Sequence, residues 1–200
     1  MKTYSLLITM LFILSCRQEV PVNDTLVDKV LVIDSVEVLK SALVLDPIKG
    51  KWYFNNRPFN GYSVKHHTNG VLQERLGFYQ GKREGIAKRW SKNGVLRVES
   101  HYKQNRLTGS YKSWWENGQL GHEVHYLNGK KNGVEKKWYA TGQLAKERQL
   151  TNDREEGLQK AWLENGTLYV NYEAKNGRIF GMRRANSCYR LEDEIVVRSN

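Results

Sequence analysis

The side chains best equipped for chemistry are two cysteines, Cys16 and Cys188, five histidines, and a set of evenly spaced lysines and glutamates. The histidines, His66, His67, His101, His122 and His125, form neither an HExxH pair nor a Cys/His zinc spacing. His101 and His125 lie 24 residues apart and could face each other across neighbouring units. Two ligands without a third suitable partner make a poor metal site, and they read as a surface ladder. Serine, aspartate and histidine all occur, but no G-x-S-x-G elbow is present to expose a nucleophile. Glu99, Glu123 and Glu147 share one interval, so repetition accounts for their alignment, and it is no sign of a paired acid and base. Gly81-Lys82 and Gly129-Lys130 lack the surroundings of a phosphate-binding loop and read as turns. The residues therefore predict a chain without catalysis, metal or cofactor.

Cys16 is different because of what precedes it. Lys2 is followed by an apolar run containing Leu6, Leu7, Ile8, Met10, Leu11, Phe12, Ile13 and Leu14. The run is too short for a mature membrane span, which needs about 20 residues, and reads as a signal peptide over residues 1–15. Ile13-Leu14-Ser15-Cys16 resembles the lipobox of bacterial lipoproteins, which implies cleavage before Cys16 and acylation of its thiol. An ordinary secretory signal that happens to contain a cysteine is the alternative. Two or three acyl chains, at roughly 0.8 kcal/mol per buried CH₂, would hold the protein in a membrane. The resemblance implies the bacterial cell envelope, and Arg17 after the cysteine favours the outer over the inner membrane. With Cys16 acylated, Cys188 has no partner for an intramolecular disulfide. Its thiol could be reactive, link a partner, bind copper, or simply fill a small core site.

The lysines lead to the organisation of the chain. Lys88, Lys112, Lys136, Lys160 and Arg184 recur every 24 residues, two positions before Trp90, Trp114, Trp138 and Trp162. Gly61, Gly85, Gly109, Gly133, Gly157 and Gly181 keep the same interval, as do Gly70, Gly94, Gly118, Gly142 and Gly166. Leu72, Leu96, Leu120, Leu144 and Leu168 follow the second series without exception, and no gap is needed. This is a tandem repeat. Runs of five to nine residues between glycines have strand length, and Asn-Gly between them marks a hairpin turn.

Parity predicts the register. Trp90 must pair with an even-numbered residue to share a face with Leu96, Val98, Ser100 and Tyr102. A three-residue loop, Lys92-Asn93-Gly94, with Gly94 left-handed, pairs Trp90 with Leu96 and predicts a single apolar face. The fold expected is all-β: an elongated, twisted, single-layer antiparallel sheet of stacked hairpins with a shallow groove. Its array spans residues 46–185, a half-repeat carrying Trp52, Phe54 and Phe59 followed by about five repeats. Residues 16–45 read as a tether and N-terminal cap, with a strand over the first sheet edge slightly preferred, and 186–200 as a C-terminal cap or tail.

Composition agrees with that class. The 200 residues include 17 Gly, six Trp and 11 Tyr but only three Pro, which excludes collagen, coiled coil and wholesale disorder. The net charge of +11 resides in the array, where residues 61–185 carry 23 Lys+Arg against 12 Asp+Glu. Lys88, Lys112, Lys136 and Lys160 could form a basic groove for lipid phosphates, lipopolysaccharide or an acidic protein. Alternatively their stems cover aromatic faces while the glutamate column neutralises them. Basic residues among aromatics would also suit nucleic acid, but export argues against it.

Gly109-Ser-Tyr-Lys-Ser-Trp-Trp-Glu-Asn-Gly118-Gln-Leu120 and Tyr126-Leu-Asn-Gly129-Lys130-Lys-Asn-Gly133 resemble the MORN-variant repeats of bacterial YwqK-type proteins, often labelled antitoxins. The resemblance implies an all-β array used for protein or membrane association. An export signal sits badly with a cytosolic antitoxin, so the expected function is a membrane-anchored, protein-binding scaffold. Its contacts would be Lys88, Trp90, Lys112, Trp114, Lys136, Trp138, Lys160 and Trp162. Binding of an anionic lipid and immunity against an exported toxin are the alternatives.

Overall fold

The structure is a computed structural model and describes residues 31–182. The signal peptide, Cys16, Arg184, Cys188 and the 186–200 cap lie outside the described residues. The chain divides between Leu31 and Val32, and both sheets belong to the second unit.

From Gly61–His66 onward the chain is an antiparallel meander, each strand pairing with the next through Leu72–Tyr79, Gly85–Trp90, Leu96–Lys103, Arg106–Trp114, Leu120–Leu127, Gly133–Trp138, Leu144–Thr151, Arg154–Trp162, Leu168–Lys175 and Arg178–Met182. The described residues contain no α-helix; the single helical turn is 3₁₀, Lys40–Ala42. The all-β sheet of tandem hairpins expected from the glycine periodicity is therefore present.

Two kinds of turn alternate, and both need left-handed backbone. Within each repeat, Ser91 N–H donates to the Val95 carbonyl and Gly94 N–H to the Ser91 carbonyl, closing the three-residue loop with Gly94 at φ +81°. Trp90 then pairs with Leu96, as parity predicts. Between repeats the turns have two residues, both at positive φ, as in Gln104-Asn105 and Asn128-Gly129. That is the backbone whose twist matches antiparallel strands.

The single apolar face does not form. Arg89 pairs with Val98 while Trp90 pairs with Leu96, so Arg97 is an extra, bulged residue. Adjacent residues of a strand face opposite ways, so Leu96 and Val98 lie on opposite faces. The same shift occurs in all five hairpins, at Lys65/His66, Arg89/Trp90, Ser113/Trp114, Lys137/Trp138 and Ala161/Trp162. One face thus carries the Trp, Leu and Lys positions. The other carries Leu76, Phe78, Ala87, Ser100, Val124, Glu135, Leu150 and Gln159, all buried.

The half-repeat also departs from expectation. Residues 44–58 leave the long sheet and form a separate three-stranded sheet of Val44–Asp46, Lys51–Phe54 and Arg57–Pro58. Its aromatics pack on the second face: Trp52 and Phe59 lie 6.1 and 5.7 Å from Phe78 in edge-on and tilted contacts. Leu43, Phe59, Leu76, Phe78 and Ala87 form the core there. Glu37–Leu39 pairs in parallel with Gly61–His66 at the first edge of the long sheet.

The loop glycines separate backbone strain from crowding. Gly118 sits at φ +82°, and a Cβ added there would meet nothing within 4 Å. Gly118→Val is expected to lower the unfolding free energy by about 1–2 kcal/mol in urea titrations, and Gly118→Asn by distinctly less, because asparagine tolerates this region.

Candidate functional surface

On the Trp face, cross-strand pairing turns the expected lysine ladder into a mixed row. Lys88 pairs with Glu99, Glu99 with Lys112, Lys112 with Glu123, Glu123 with Lys136, Lys136 with Glu147 and Glu147 with Lys160. The last neighbour, opposite Lys160, is Asn171. Charges of opposite sign therefore alternate along a line crossing the strands. Within the three central hairpins the ammonium reaches the carboxylate: Lys88–Glu99 at 3.1 Å, Lys112–Glu123 at 3.1 Å and Lys136–Glu147 at 3.3 Å. These are exposed pairs, worth about 0–1 kcal/mol each. Their effect is to offset the local positive field.

Two further rows flank the charges. Trp90, Trp114, Trp138 and Trp162 are half-buried, each opposite its leucine, and continue the row begun by His66 and Leu72. On the other side Ile86, Val134, Leu158 and Phe180 are 37–45% exposed and alternate across the strands with His101, Ser110, His125, Gln149 and Glu173.

The tryptophan ends are fastened from one repeat to the one before. The Trp90 carbonyl accepts from His67 Nε2, that of Trp138 from the Trp115 indole, and that of Trp162 from the Tyr139 hydroxyl, all at 2.9 Å. The asparagine of the loop does a second job, since Asn69 and Asn117 donate to the Lys92 and Ala140 carbonyls at 2.9 and 2.8 Å. Glu116 accepts from Ser91, Asn93 and Arg97, which together hold its carboxyl below the usual range. These bonds explain the Asn of the repeat better than turn propensity alone.

The other face holds a group that the repeat pattern does not reveal. Glu135 is 1% exposed. Burial pushes its pKa up, but hydrogen bonds from His122 Nε2 at 2.9 Å, Lys131 Nζ at 2.7 Å and the Arg148 guanidinium outweigh it and hold the carboxyl far below the ordinary range. Arg148 also reaches Glu155 at 3.4 Å, and Tyr172 donates to Glu155 at 2.7 Å. In the repeat frame Glu135 occupies the position of Ser63, Ala87, Tyr111 and Gln159, and Arg148 that of Leu76, Ser100, Val124 and Tyr172. A signal is nonetheless present in the sequence: these are the strand positions where the repeat is least regular, and the hairpin register sets Glu135 opposite Arg148.

His101 does not meet His125; its Nδ1 bonds the Ser110 carbonyl at 2.9 Å, and His125 pairs with Ser110 in the next strand. Among the described residues no three His, Cys, Asp or Glu side chains gather as metal ligands. No described helix is long and apolar enough to cross a membrane.

Comparison with protein families matches residues 83–104, 107–128 and 131–152 to the family described as MORN repeat variant. The chain carries tandem MORN-variant repeats. No curated protein gives a significant match. Each matched MORN segment is one hairpin, entered and left at the two-residue turns, with the Asn-Gly or Thr-Gly loop in its middle. The same hairpin is built by 61–79 before the matched segments and 154–175 after them, so the hairpin array continues on both sides. The array is a repeat scaffold.

Glu135→Gln is expected to destabilise the protein by about 3 kcal/mol at neutral pH, because Lys131 and Arg148 would lose their buried counter-charge. Glu135 has a lowered native pKa, so its stabilisation is complete above the unfolded value and is lost as the pH falls through the ordinary glutamate value of 4.5 and below. Chemical unfolding of wild type and Glu135→Gln across that range should show the gap narrowing with acid.

Proposed function

We propose that this protein is a membrane-tethered scaffold that binds another protein through the Trp face of its MORN-variant sheet. The observation that carries the reading is the alternating Lys/Glu row lying between the half-buried tryptophans and the exposed Ile86, Val134 and Leu158. A surface evolved mainly for anionic headgroups gains from uncompensated cations, and here Lys88, Lys112 and Lys136 each hold a glutamate of the same hairpin. A protein partner can match both signs and cover the exposed aliphatics set among His101, Ser110, His125 and Gln149, with charge setting register and orientation. Such a contact is binding without chemistry. The tether is Cys16, acylated after removal of residues 1–15, and the location is the bacterial envelope, with the outer membrane favoured by Arg17. Lipid binding by the array and immunity against an exported toxin are subordinate readings, distinguished by the partner found.

Cys16→Ser should abolish incorporation of labelled fatty acid and release the protein from membranes in fractionation; unchanged membrane association would refute the tether. Photo-crosslinkers at Ile86, Val134 or Leu158 should trap one protein at fixed stoichiometry in the native envelope, whereas crosslinkers at Lys65 or Gln73 should not. Steep, salt-sensitive binding of the unacylated protein to anionic vesicles, with no protein adduct, would instead favour the lipid reading.

A further inference from the structure

On the face opposite the Trp rows, Leu144–Thr151, Arg154–Trp162 and Leu168–Lys175 enclose a cleft of about 430 Å³. That is within the range of small-molecule sites. Its lining brings together cations, acceptors and aromatic rings, among them Lys146, Arg148, Gln159, Glu155, Tyr169 and Tyr172, with Lys160 also at its wall.

The hydrogen bonds there are incomplete in a directional way. Gln159 is 1% exposed, and its amide nitrogen donates to the Gln149 and Gly157 carbonyls at 2.9 and 3.1 Å. Those two bonds fix the amide orientation, because a flipped amide would set oxygen against two carbonyls. Gln159 Oε1 is then buried with no donor. A buried acceptor left without a donor costs about 1–3 kcal/mol, which a ligand donor would recover. The Lys146 side chain has no ion pair or hydrogen bond among the described residues. Arg148 uses Nε and Nη2 on Glu135 and Nη1 on Glu155, leaving an N–H on each Nη without an acceptor. The cleft thus combines spare donors on its cationic residues with the Glu155 carboxylate and with Gln159, whose buried oxygen lacks a donor.

We propose that this cleft binds a small zwitterion of the α-amino-acid type. The carboxylate is held by Lys146 and the outer N–H groups of Arg148, the ammonium by Gln159 Oε1 and Glu155, and the side chain lies against Tyr169 and Tyr172. Glu155 is oriented for this by the Tyr172 hydroxyl, and Arg148 by its bonds to buried Glu135. The regular repeat positions do not supply such a set: the residues equivalent to Arg148 and Gln159 elsewhere are Leu76, Ser100 and Val124, and Ser63, Ala87 and Tyr111. The site lies on the face away from the proposed partner surface, so its test does not depend on that reading.

Isothermal titration of the full detergent-solubilised chain with L-alanine and L-glutamate, against propionate and ethylamine, tests it. Saturable binding of at least one amino acid is expected, with both single-charge analogues at least tenfold weaker. Lys146→Ala, which removes no side-chain hydrogen bond or ion pair within the protein, should weaken binding about tenfold while the protein still unfolds in one cooperative transition near the wild-type midpoint. Lys92→Ala, in a distant loop, should leave binding unaltered. Propionate binding as tightly as alanine, no heat with either amino acid, or full affinity in Lys146→Ala would each overturn the proposal.

Discussion

One extra residue in the second strand of each hairpin governs the whole sheet. Without the bulge at Arg97 and its counterparts, Trp90, Leu96, Val98 and Tyr102 would share a side with Lys88, and Glu99 would lie on the other. With it, side-chain direction reverses partway along the strand. The Trp–Leu pairs then sit at one end of the face that also bears the charge row, while Leu76, Val124 and Leu150 turn to the opposite face. Because the repeat contains no insertion or deletion, these five bulges fall at the same height, and rows form across the sheet where single hairpins would give only scattered pairs.

That constraint changes the meaning of a basic composition. Lysines repeated every 24 residues look like a ladder when written in one dimension. In two dimensions Glu99, Glu123 and Glu147 fall in the same row, and Lys112 lies between two glutamates rather than above another lysine. The array keeps its net positive charge, but the excess resides on other side chains, among them Arg106, Lys130 and Lys137. A row of compensated charges beside exposed aliphatics is a surface with register, which suits recognition of one partner better than general attraction to anions.

The glycine and Asn-Gly intervals are sufficient to read the all-β architecture, the hairpin unit and the Trp90–Leu96 pairing, because positive φ and strand length leave little alternative at Gly94 or Gly118. The bulge is not readable in the same way. Its occupants are Gln73, Arg97, Gly121, Ala145 and Tyr169, which share no residue type, since an extra residue there need only fit a kink. Nor does periodicity show that Trp52 and Phe59 fold back over Phe78. They keep the spacing of the array, but a second small sheet buries aromatic surface that an open edge would leave in water. Glu135 and Arg148 escape a reading by periodicity because attention to recurring positions discounts the positions that vary.

Those variable positions divide the second face into two environments. Toward the first repeats it is apolar and covered: Leu76, Phe78 and Ala87 lie beneath Leu43, Trp52 and Phe59. Further along the same row the residues become Glu135, Arg148, Gln159 and Tyr172. The same register that would stack aliphatics instead forces charges into adjacent buried sites, where they must satisfy one another. Glu74, held below the usual range by Arg89 and Lys40 against the upward push of burial, marks a smaller instance on that face near its covered end. Repetition therefore fixes where side chains go, and departures from repetition decide what chemistry meets there. The regular face suits a long contact with a partner, whereas the irregular one is where a site particular to this chain could be built.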